Sequence, residues 1–324
     1  MKLKPLRTLP LRAAIKAERS IAHRELRRAA SIPIDQGGWR PPQNMVGLRA
    51  RVDPYPDLGH QLSTWVSGYL WAQDLGVPYF GGDVTKDSRG LFALSELTAA
   101  LPSNRLLERR LPATGFETEP WALPALRHAV DRAARGRARP WIGRLSLDQR
   151  RWDQTPAAPA LRRAVLAGYL GRELLTAEST SDHIAVHARR GDVGPTTHPD
   201  RWLGVPYYKK LIAEIRSIGR FERMPIRLYT SGDAGDLKEL EQLGVQINDS
   251  GDRDHDFVAI ASAQLIVAAP SSFGFFAALV SRAPVIARVP WWHRVPDSGR
   301  WFAYVPSSGL DTARLSRMLP VEGA

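Results

Sequence analysis

Between residues 180 and 290 the apolar positions fall into short runs that switch between two periods. Asp182 to Asp192 is the densest case. Ile184, Val186 and Ala188 are β-compatible residues in a run too short for a helix, and polar residues begin where such a strand would end. Apolar spacing then predicts a helix from Tyr207 to Ile218, a strand from Ile226 to Thr230 and a helix from Asp236 to Leu243. Val245 to Ile247 predicts a short strand, Asp256 to Ala263 one or two helical turns, and Leu265 to Ala269 another strand. Ser272 to Val280 follows as a helix, Pro284 to Val289 as a strand, and Leu310 to Leu319 as a closing helix. Strands alternating with short helices predict a parallel, doubly wound sheet.

The first half is less regular. Met45 to Val52 reads as a strand and Pro78 to Val84 as the next one. Between them, Asp57-Leu58-Gly59-His60-Gln61-Leu62 predicts a glycine turn opening a helix that runs through Trp65, Tyr69, Leu70 and Ala72 to Gly76. Such a helix can turn its N-terminus to a ligand, and a plain strand-to-helix connection fits the same residues. Residues 101 to 155 are rich in Arg and Pro without a sustained period. Leu161, Val165, Leu166, Tyr169 and Leu170 then predict one helix from Ala160 to Leu175. Pro33 to Asn44, with Gly37, Gly38, Pro41 and Pro42, reads as a linker. The resulting division is an N-terminal arm at 1–35, a first domain at 36–157, a second at 158–310 and a terminal helix at 311–324.

A chain of 324 residues has room for two cores of ordinary size. It contains no cysteine, which excludes disulfides, thiolate metal sites and cysteine nucleophiles. A reducing compartment fits that composition, and the cytoplasm is the expected location. Phe257 to Ala269 is the longest apolar run; Ser262 and Gln264 interrupt it, and it is too short to cross a bilayer. The N-terminus lacks the unbroken apolar region of a signal peptide.

The net charge of +12 is unevenly spread, because residues 1 to 28 hold nine Lys or Arg against Glu18 and Glu25. Leu11, Ile15, Ala22, Leu26 and Ala29 share one helical face there, which predicts a basic amphipathic helix. Packing on the body is one use for it. Peripheral contact with the inner face of a membrane, through residues 1–30, is the other. Nucleic acid is not expected as a partner, since the arm has no interleaved aromatics and the chain no recognised nucleic-acid module.

The candidate chemistry sits at predicted strand ends. In an open α/β sheet, ligands bind beyond the carboxyl ends of the strands. Arg189 and Arg190 stand at one such end, and neighbouring residues alternate faces. One guanidinium can therefore grip a phosphate while the other pairs with Asp192 or another carboxylate. Arg189 is the phosphate candidate. Pro270-Ser271-Ser272-Phe273-Gly274 joins a strand to a helix, a place for hydroxyls and free amides that bind an anion or simply cap the helix. Asp256 precedes Ser272 by one helix and one strand. Its carboxylate can accept from the adjacent N–H donors of a base such as guanine, or cap its own helix. Asp252-Arg253-Asp254 matches a metal-binding Asp-x-Asp pattern and reads as a loop; no metal is expected. Trp65, Tyr69, Trp71, Trp291, Trp292 and Trp301 suit either sugar stacking or a core.

In order along the chain, His187-Ala188-Arg189-Arg190-Gly191-Asp192, Tyr207-Tyr208, Thr230-Ser231-Gly232-Asp233, and Asp256-Phe257 leading to Ser271-Ser272-Phe273 resemble the motifs of the α1,2-, α1,6- and protein O-fucosyltransferase superfamily. Asp57 to Gln61 resembles its Gly-x-Gly-Asn-Gln turn, with His60 in place of the usual asparagine. Pro270 likewise replaces the asparagine that often precedes the serines. The match is loose over residues 45 to 85 and better over 160 to 290.

The resemblance implies two facing Rossmann-like domains of the GT-B type, with GDP-fucose as donor substrate held mainly by the second, and no cofactor. It implies that His187 and Asp256 contact the guanosine, Arg189 the diphosphate, and Ser271, Ser272 and Phe273 the phosphates, with Arg190 and Asp192 as support. The implied activity is inverting transfer of fucose to a glycan hydroxyl. His60 and Asp57 are the candidates for handling the acceptor proton, with Asp83 a further one. Two alternatives stay open: a nucleotide-sugar or polyanion binder that has lost turnover, and a transferase using a different nucleotide sugar.

Overall fold

The computed structural model describes residues 38–52, 57–82, 84, 90–102, 106–111, 122–145, 151–248, 251–291 and 293–318. The basic arm, Asp83 and Trp292 lie outside these residues. The described residues gather into two compact units. One draws on positions up to 57, 61–86 and 94–157, and the other on 58–60, 87–93 and 158 onward.

The first unit is built on three parallel strands, β1 (Met45–Ala50), β2 (Leu107–Arg110) and β3 (Trp141–Leu145), in the order β1-β3-β2. Helix α1 (Leu58–Leu75) begins its second turn here, and α2 (Ala122–Ala134) lies between β2 and β3 in sequence. Leu62, Trp65, Val66, Leu70 and Trp71 are buried around the whole circumference of α1, as are Ser63, Thr64 and Ser67. Its small polar residues are met by the segment that closes the unit. Gln154, fully buried, donates to the Ser63 carbonyl at 2.8 Å and to Ser67 Oγ at 2.8 Å. One sequence expectation fails here. Pro78 to Val84 contributes only an isolated parallel bridge, Leu48 to Tyr79. Among the described residues, 101 to 155 hold two strands and a helix without a sustained sequence period, and β2 is an exposed edge with no buried face to pattern it.

The second unit is a six-stranded, fully parallel sheet. Its strands are β4 (Ile184–Ala188), β5 (Ile226–Thr230), β6 (Val245–Asn248), β7 (Leu265–Ala268), β8 (Val285–Arg288) and β9 (Trp301–Tyr304). They lie in the order β6-β5-β4-β7-β8-β9. The chain builds outward from β4 to β6, crosses back to the other side of β4, and builds outward again. This is the doubly wound order of Rossmann folds, and the reversal falls between β4 and β7.

All five residues of β4 are buried, as a parallel sheet covered on both faces requires. Ile184, Val186 and Ala188 pack with Leu211, Ile212 and Ile215 of helix α5 (Val205–Arg216). Leu237 and Leu240, from a 3-10 segment at Gly235–Leu243, and Leu315 of the terminal helix join the same core. The alternate residues face helices α6 (Arg253–Ser262) and α7 (Ser272–Val280), whose sides are closed by α3 (Ala158–Ala167) and α4 (Gly171–Thr180).

The single helix expected from Ala160 to Leu175 is therefore two. It breaks at Gly168, where an added Cβ would stand 2.8 Å from the Gly90 carbonyl oxygen, so the chain accepts no side chain there. Tyr169 consequently turns outward, 64% exposed, instead of covering a face. The stretch expected as a helix from Asp236 is the tighter 3-10 form, ended by Gly244 with φ of 72°. Strand β9, with Trp301 at its start, was not anticipated.

Helix α7 is apolar throughout, carries no charged residue, and has seven residues buried from Gly274 to Val280. Its last carbonyls are supplied with donors by two distant arginines. Arg162 Nη1 donates to the Val280 carbonyl at 2.7 Å and holds Glu178 through both nitrogens. Arg300 Nη2 donates to the Ala278 carbonyl at 2.6 Å, and Nη1 to that of Ala283 at 2.8 Å. Burial and the neighbouring Arg162 lower the Arg300 pKa to about 10, which leaves it charged at neutral pH.

His183, at the entry to β4, provides a pH test. Its Nε2 lies 3.2 Å from the Ala259 carbonyl and its Nδ1 3.2 Å from Ser181 Oγ, so the neutral ring donates to one and accepts from the other. Burial, then the Arg227 charge, holds its pKa below the ordinary value of 6.5. As pH falls below that value the unfolded chain takes up this proton before the folded one does. The His183 contribution is thus complete above pH 6.5 and is lost as pH drops toward the folded-state pKa. Melting temperature followed from pH 7.5 to 5 should fall, with a shallower slope in His183→Gln; an unchanged slope contradicts the assignment.

Candidate functional site at the strand-order reversal

Where the strand order reverses, the connections leaving β4 and β7 depart in opposite directions and leave a crevice at their carboxyl ends. Residues 189–192 follow β4 there, and 269–273 follow β7. The two stretches singled out separately in the sequence, 80 residues apart, thus leave adjacent strands, with His187 in register with Ala268.

His187 is the last inward residue of β4 on the α7 side and is 5% exposed. Its ring lies 5.8 Å from that of Phe273. A Cβ on Gly274 would come within 2.8 Å of His187 Nδ1, so the first turn of α7 can seat itself on this ring only with glycine at that position. The first turn of α1 belongs to the same unit. There a Cβ on Gly59 would stand 2.7 Å from the Ser272 carbonyl carbon. Residues 58 to 60 are therefore drawn close to the start of α7, with His60 half-buried next to the contact.

The two arginines divide as strand alternation predicts. Arg190 turns to the α5 side, where its side chain is 2% exposed. It grips Asp236 through Nε at 3.0 Å and Nη2 at 2.7 Å, donates to the Leu203 carbonyl at 3.1 Å, and lies 3.8 Å over the Trp202 ring. Its carboxylate is Asp236, and Asp192 pairs instead with Arg189 at 2.8 Å. The Arg189 side chain keeps 20% exposure, so it is the one of the two that solvent reaches. The turn between them and Asp192 depends on Gly191, with φ of 79°, against which Gly232 packs so closely that its Cβ would stand 2.7 Å from the Gly191 Cα.

Ser271 takes extended angles before α7 and is 7% exposed; its carbonyl accepts from Phe275 N at 3.0 Å. Its side chain makes no cap bond to the helix. Ser272 and Phe273 open the helix, half-buried, with amides that precede any intrahelical acceptor. Ser272 Oγ lies 3.1 Å from Nε2 of His293, a residue the sequence reading did not single out. His293 follows β8 in a stretch without periodicity, and only its aromatic neighbours hinted that it is enclosed.

Asp256 stands in the first turn of α6 and is capped from behind rather than capping. Asp252 accepts from the His255 amide at 3.2 Å and is the N-cap, so α6 begins three residues earlier than expected. Asn248, at the end of β6, donates to Asp256 Oδ1 at 2.7 Å and orients the carboxylate. An open depression of about 360 Å³ lies beside this pair, lined by Arg227, Tyr229, Asn248, His255 and Ala259.

Asp254 is held by Arg253 at 2.7 Å and by Tyr169 at 3.2 Å, so the nominal Asp-x-Asp pair is committed to helix capping and surface pairing. Among the described residues no three His, Asp or Glu side chains gather as a metal site would require. Of the aromatics considered for sugar stacking, Trp65, Trp71 and Trp301 are 6% exposed or less and belong to cores. Tyr69 is partly exposed but stacks on Trp65 at 5.9 Å, and Trp291 packs 4.6 Å from His293.

No protein-family model matches the chain, and no curated protein matches it. Solved structures do. The chain is similar to POFUT1 in complex with GDP, at 11% identity over 75% of this chain and 97% of that one, with a TM-score of 0.43. A POFUT1 complex with GDP-fucose is 10% identical over 74% of this chain and 97% of that one, with a TM-score of 0.45. A variant of Arabidopsis thaliana FUT1 in complex with GDP is 12% identical over 85% and 76%, with a TM-score of 0.38.

The division between the arginines predicts different failures. Arg190→Ala leaves Asp236 and the Leu203 carbonyl without their donor and should cost roughly 2–4 kcal/mol of stability, read from the denaturant midpoint. Arg190→Lys should recover only part of it, since an ammonium cannot form the planar two-nitrogen grip. A midpoint within experimental error of the parent in Arg190→Ala would contradict the scaffold role.

Proposed function

We propose that this chain is a glycosyltransferase that moves fucose from GDP-fucose to a glycan hydroxyl, with inversion at the anomeric carbon and without a metal ion. The observation that carries the proposal is the strand order. It sets the Arg189 end of β4 beside the Ser271 to Phe273 end of β7, at the reversal where doubly wound sheets bind nucleotides.

Transfer breaks the bond between the anomeric carbon and the diphosphate. Positive charge gathers at the sugar ring while negative charge grows on the leaving GDP. A fixed guanidinium and the amides of a helix start are oriented for that anion before it forms, which lowers the barrier without reorganisation. Arg189 supplies the first and residues 271 to 273 the second. Asp192, paired with Arg189, restricts where that guanidinium can swing. In this reading Asp256, oriented by Asn248, accepts from the base, whose edge enters the adjoining depression. His187 forms the wall under Phe273, and Arg190 holds the β4 turn from behind.

The acceptor hydroxyl gives up a proton as it attacks. His60 and Asp57 are the proposed groups near that proton. The closeness of Gly59 to the Ser272 backbone supports His60, because it brings this turn beside the proposed diphosphate position. The basic arm is proposed to keep the protein at the inner face of a membrane, on the cytoplasmic side; no helix among the described residues is long and apolar enough to cross one.

Two measurements test these statements. GDP and GDP-fucose should raise the melting temperature, with EDTA having no effect and with UDP and ADP weaker, and Arg189→Ala should abolish the shift. Loss of one charged phosphate contact corresponds to about 1.5–3 kcal/mol, or a roughly 10- to 150-fold weaker affinity. Indifference to every nucleotide contradicts the donor site, and GDP binding with no release of GDP from GDP-fucose in the presence of acceptor glycans supports a binder instead. Separately, removing residues 1–30 should abolish sedimentation with anionic vesicles while GDP binding persists; retained sedimentation contradicts the role of the arm.

A further inference from the structure

We propose that His293 is a positioning residue that sets the hydrogen-bond polarity of Ser272, so that the Ser272 hydroxyl donates outward to a phosphate oxygen of the donor. This rests on the nucleotide reading above and adds a residue to it.

His293 is 1% exposed and is the most enclosed histidine near the site. Its ring lies parallel to Phe275 at 4.3 Å and 5°. Trp291 meets it edge-on at 4.6 Å, and Phe276 at 5.9 Å. Aromatic contacts from three sides fix the plane of the imidazole, which leaves Nε2 directed at Ser272 Oγ, 3.1 Å away. Phe275 and Phe276 are themselves part of α7, so histidine and serine are registered by the same helix.

A serine hydroxyl has one proton and two lone pairs. If Oγ–H donates to Nε2, the serine offers only lone pairs to the crevice and repels an anion. If Nε2–H donates to Oγ, the hydroxyl proton is released to point outward. The ring cannot rotate to serve both arrangements, so the position of its proton decides between them. A diphosphate stabilises the second arrangement because its oxygens are acceptors only. The ligand therefore selects the imidazole that carries hydrogen on Nε2, and His293 in turn holds Ser272 Oγ where its proton can reach that oxygen. Ser271, the neighbouring hydroxyl, makes no side-chain cap bond to the helix.

The test uses the full chain and GDP titration calorimetry. Ser272→Ala and His293→Phe, the second keeping the aromatic stack, should each weaken GDP binding about 10-fold, the worth of roughly one charge-assisted hydrogen bond. The double variant should be no weaker than either single one, because both remove the same interaction. His293→Gln places an amide nitrogen near the Nε2 position and should regain most of the affinity. Nitrogen-15 spectra of the parent protein should show the His293 ring with its proton on Nε2 once GDP is bound. The proposal is overturned if Ser272→Ala binds GDP as the parent does, if the two substitutions add, or if bound GDP leaves the proton on Nδ1. Should His293→Phe unfold, Ser272→Ala and the spectra of the parent decide alone. A parent protein that does not bind GDP overturns the nucleotide reading itself, an outcome distinct from a parent that binds and variants that do not respond.

Discussion

A parallel sheet built outward in both directions from its first strand must contain one place where neighbouring strands send their connections opposite ways. In this protein that place lies between β4 and β7, and the placement of the other candidate groups follows from it. Because β4 and β7 are neighbours in the sheet, two loops from distant parts of the chain meet at one edge. Because all strands are parallel, the loop after each strand lies at the carboxyl edge, where helix N-termini collect. The constraint is topological, and the side chains have been fitted to it.

Helix α7 depends on that fit at both ends. It is too apolar to satisfy its own termini, and its last turn is held by Arg162 and Arg300, whose guanidiniums are supplied from other elements. At the other end, glycine at position 274 lets the helix rest on His187, and the imidazole of His293 meets Ser272. A helix buried on every side gains its stability from packing rather than from capping residues of its own. Its orientation is then set by its neighbours to within the tolerance of close packing.

The paired arginines illustrate how one short sequence serves two purposes. Arg190 is buried, bidentate to Asp236 and stacked on Trp202, and it ties the β4 turn to the α5 side of the sheet. Arg189, one residue earlier, remains reachable and is restrained by Asp192. Alternation of side chains along a strand made this division legible in advance, although not the identity of the carboxylates. Asp192 was the nearer acid in sequence and Asp236 the one reached in space, because the loop after β5 folds back glycine against glycine onto the loop after β4.

Much of the second unit could be read from the chain alone. Short apolar runs bounded by polar residues marked five of the six strands, since a strand buried on both faces has little choice of composition. The ordered motifs from His187 to Phe273 named the candidate groups. What escaped were features whose cause is nonlocal. The helix break at Gly168 is imposed by the carbonyls of residues 90 and 91, and β9 by the sheet edge it joins. Of the first unit's strands, β1 was legible, while β2 was hidden because it buries no face of its own.

The local chemistry of the arginine and serine stretches was therefore determined by the sequence itself, through strand length, alternation and the residue types that suit anions. Only the tertiary structure decided that the two stretches share one crevice, that Arg190 belongs to Asp236, and that His293 stands behind Ser272. Those facts depend on strand order and on packing across tens of residues, and neither leaves a periodic signature in the residues themselves.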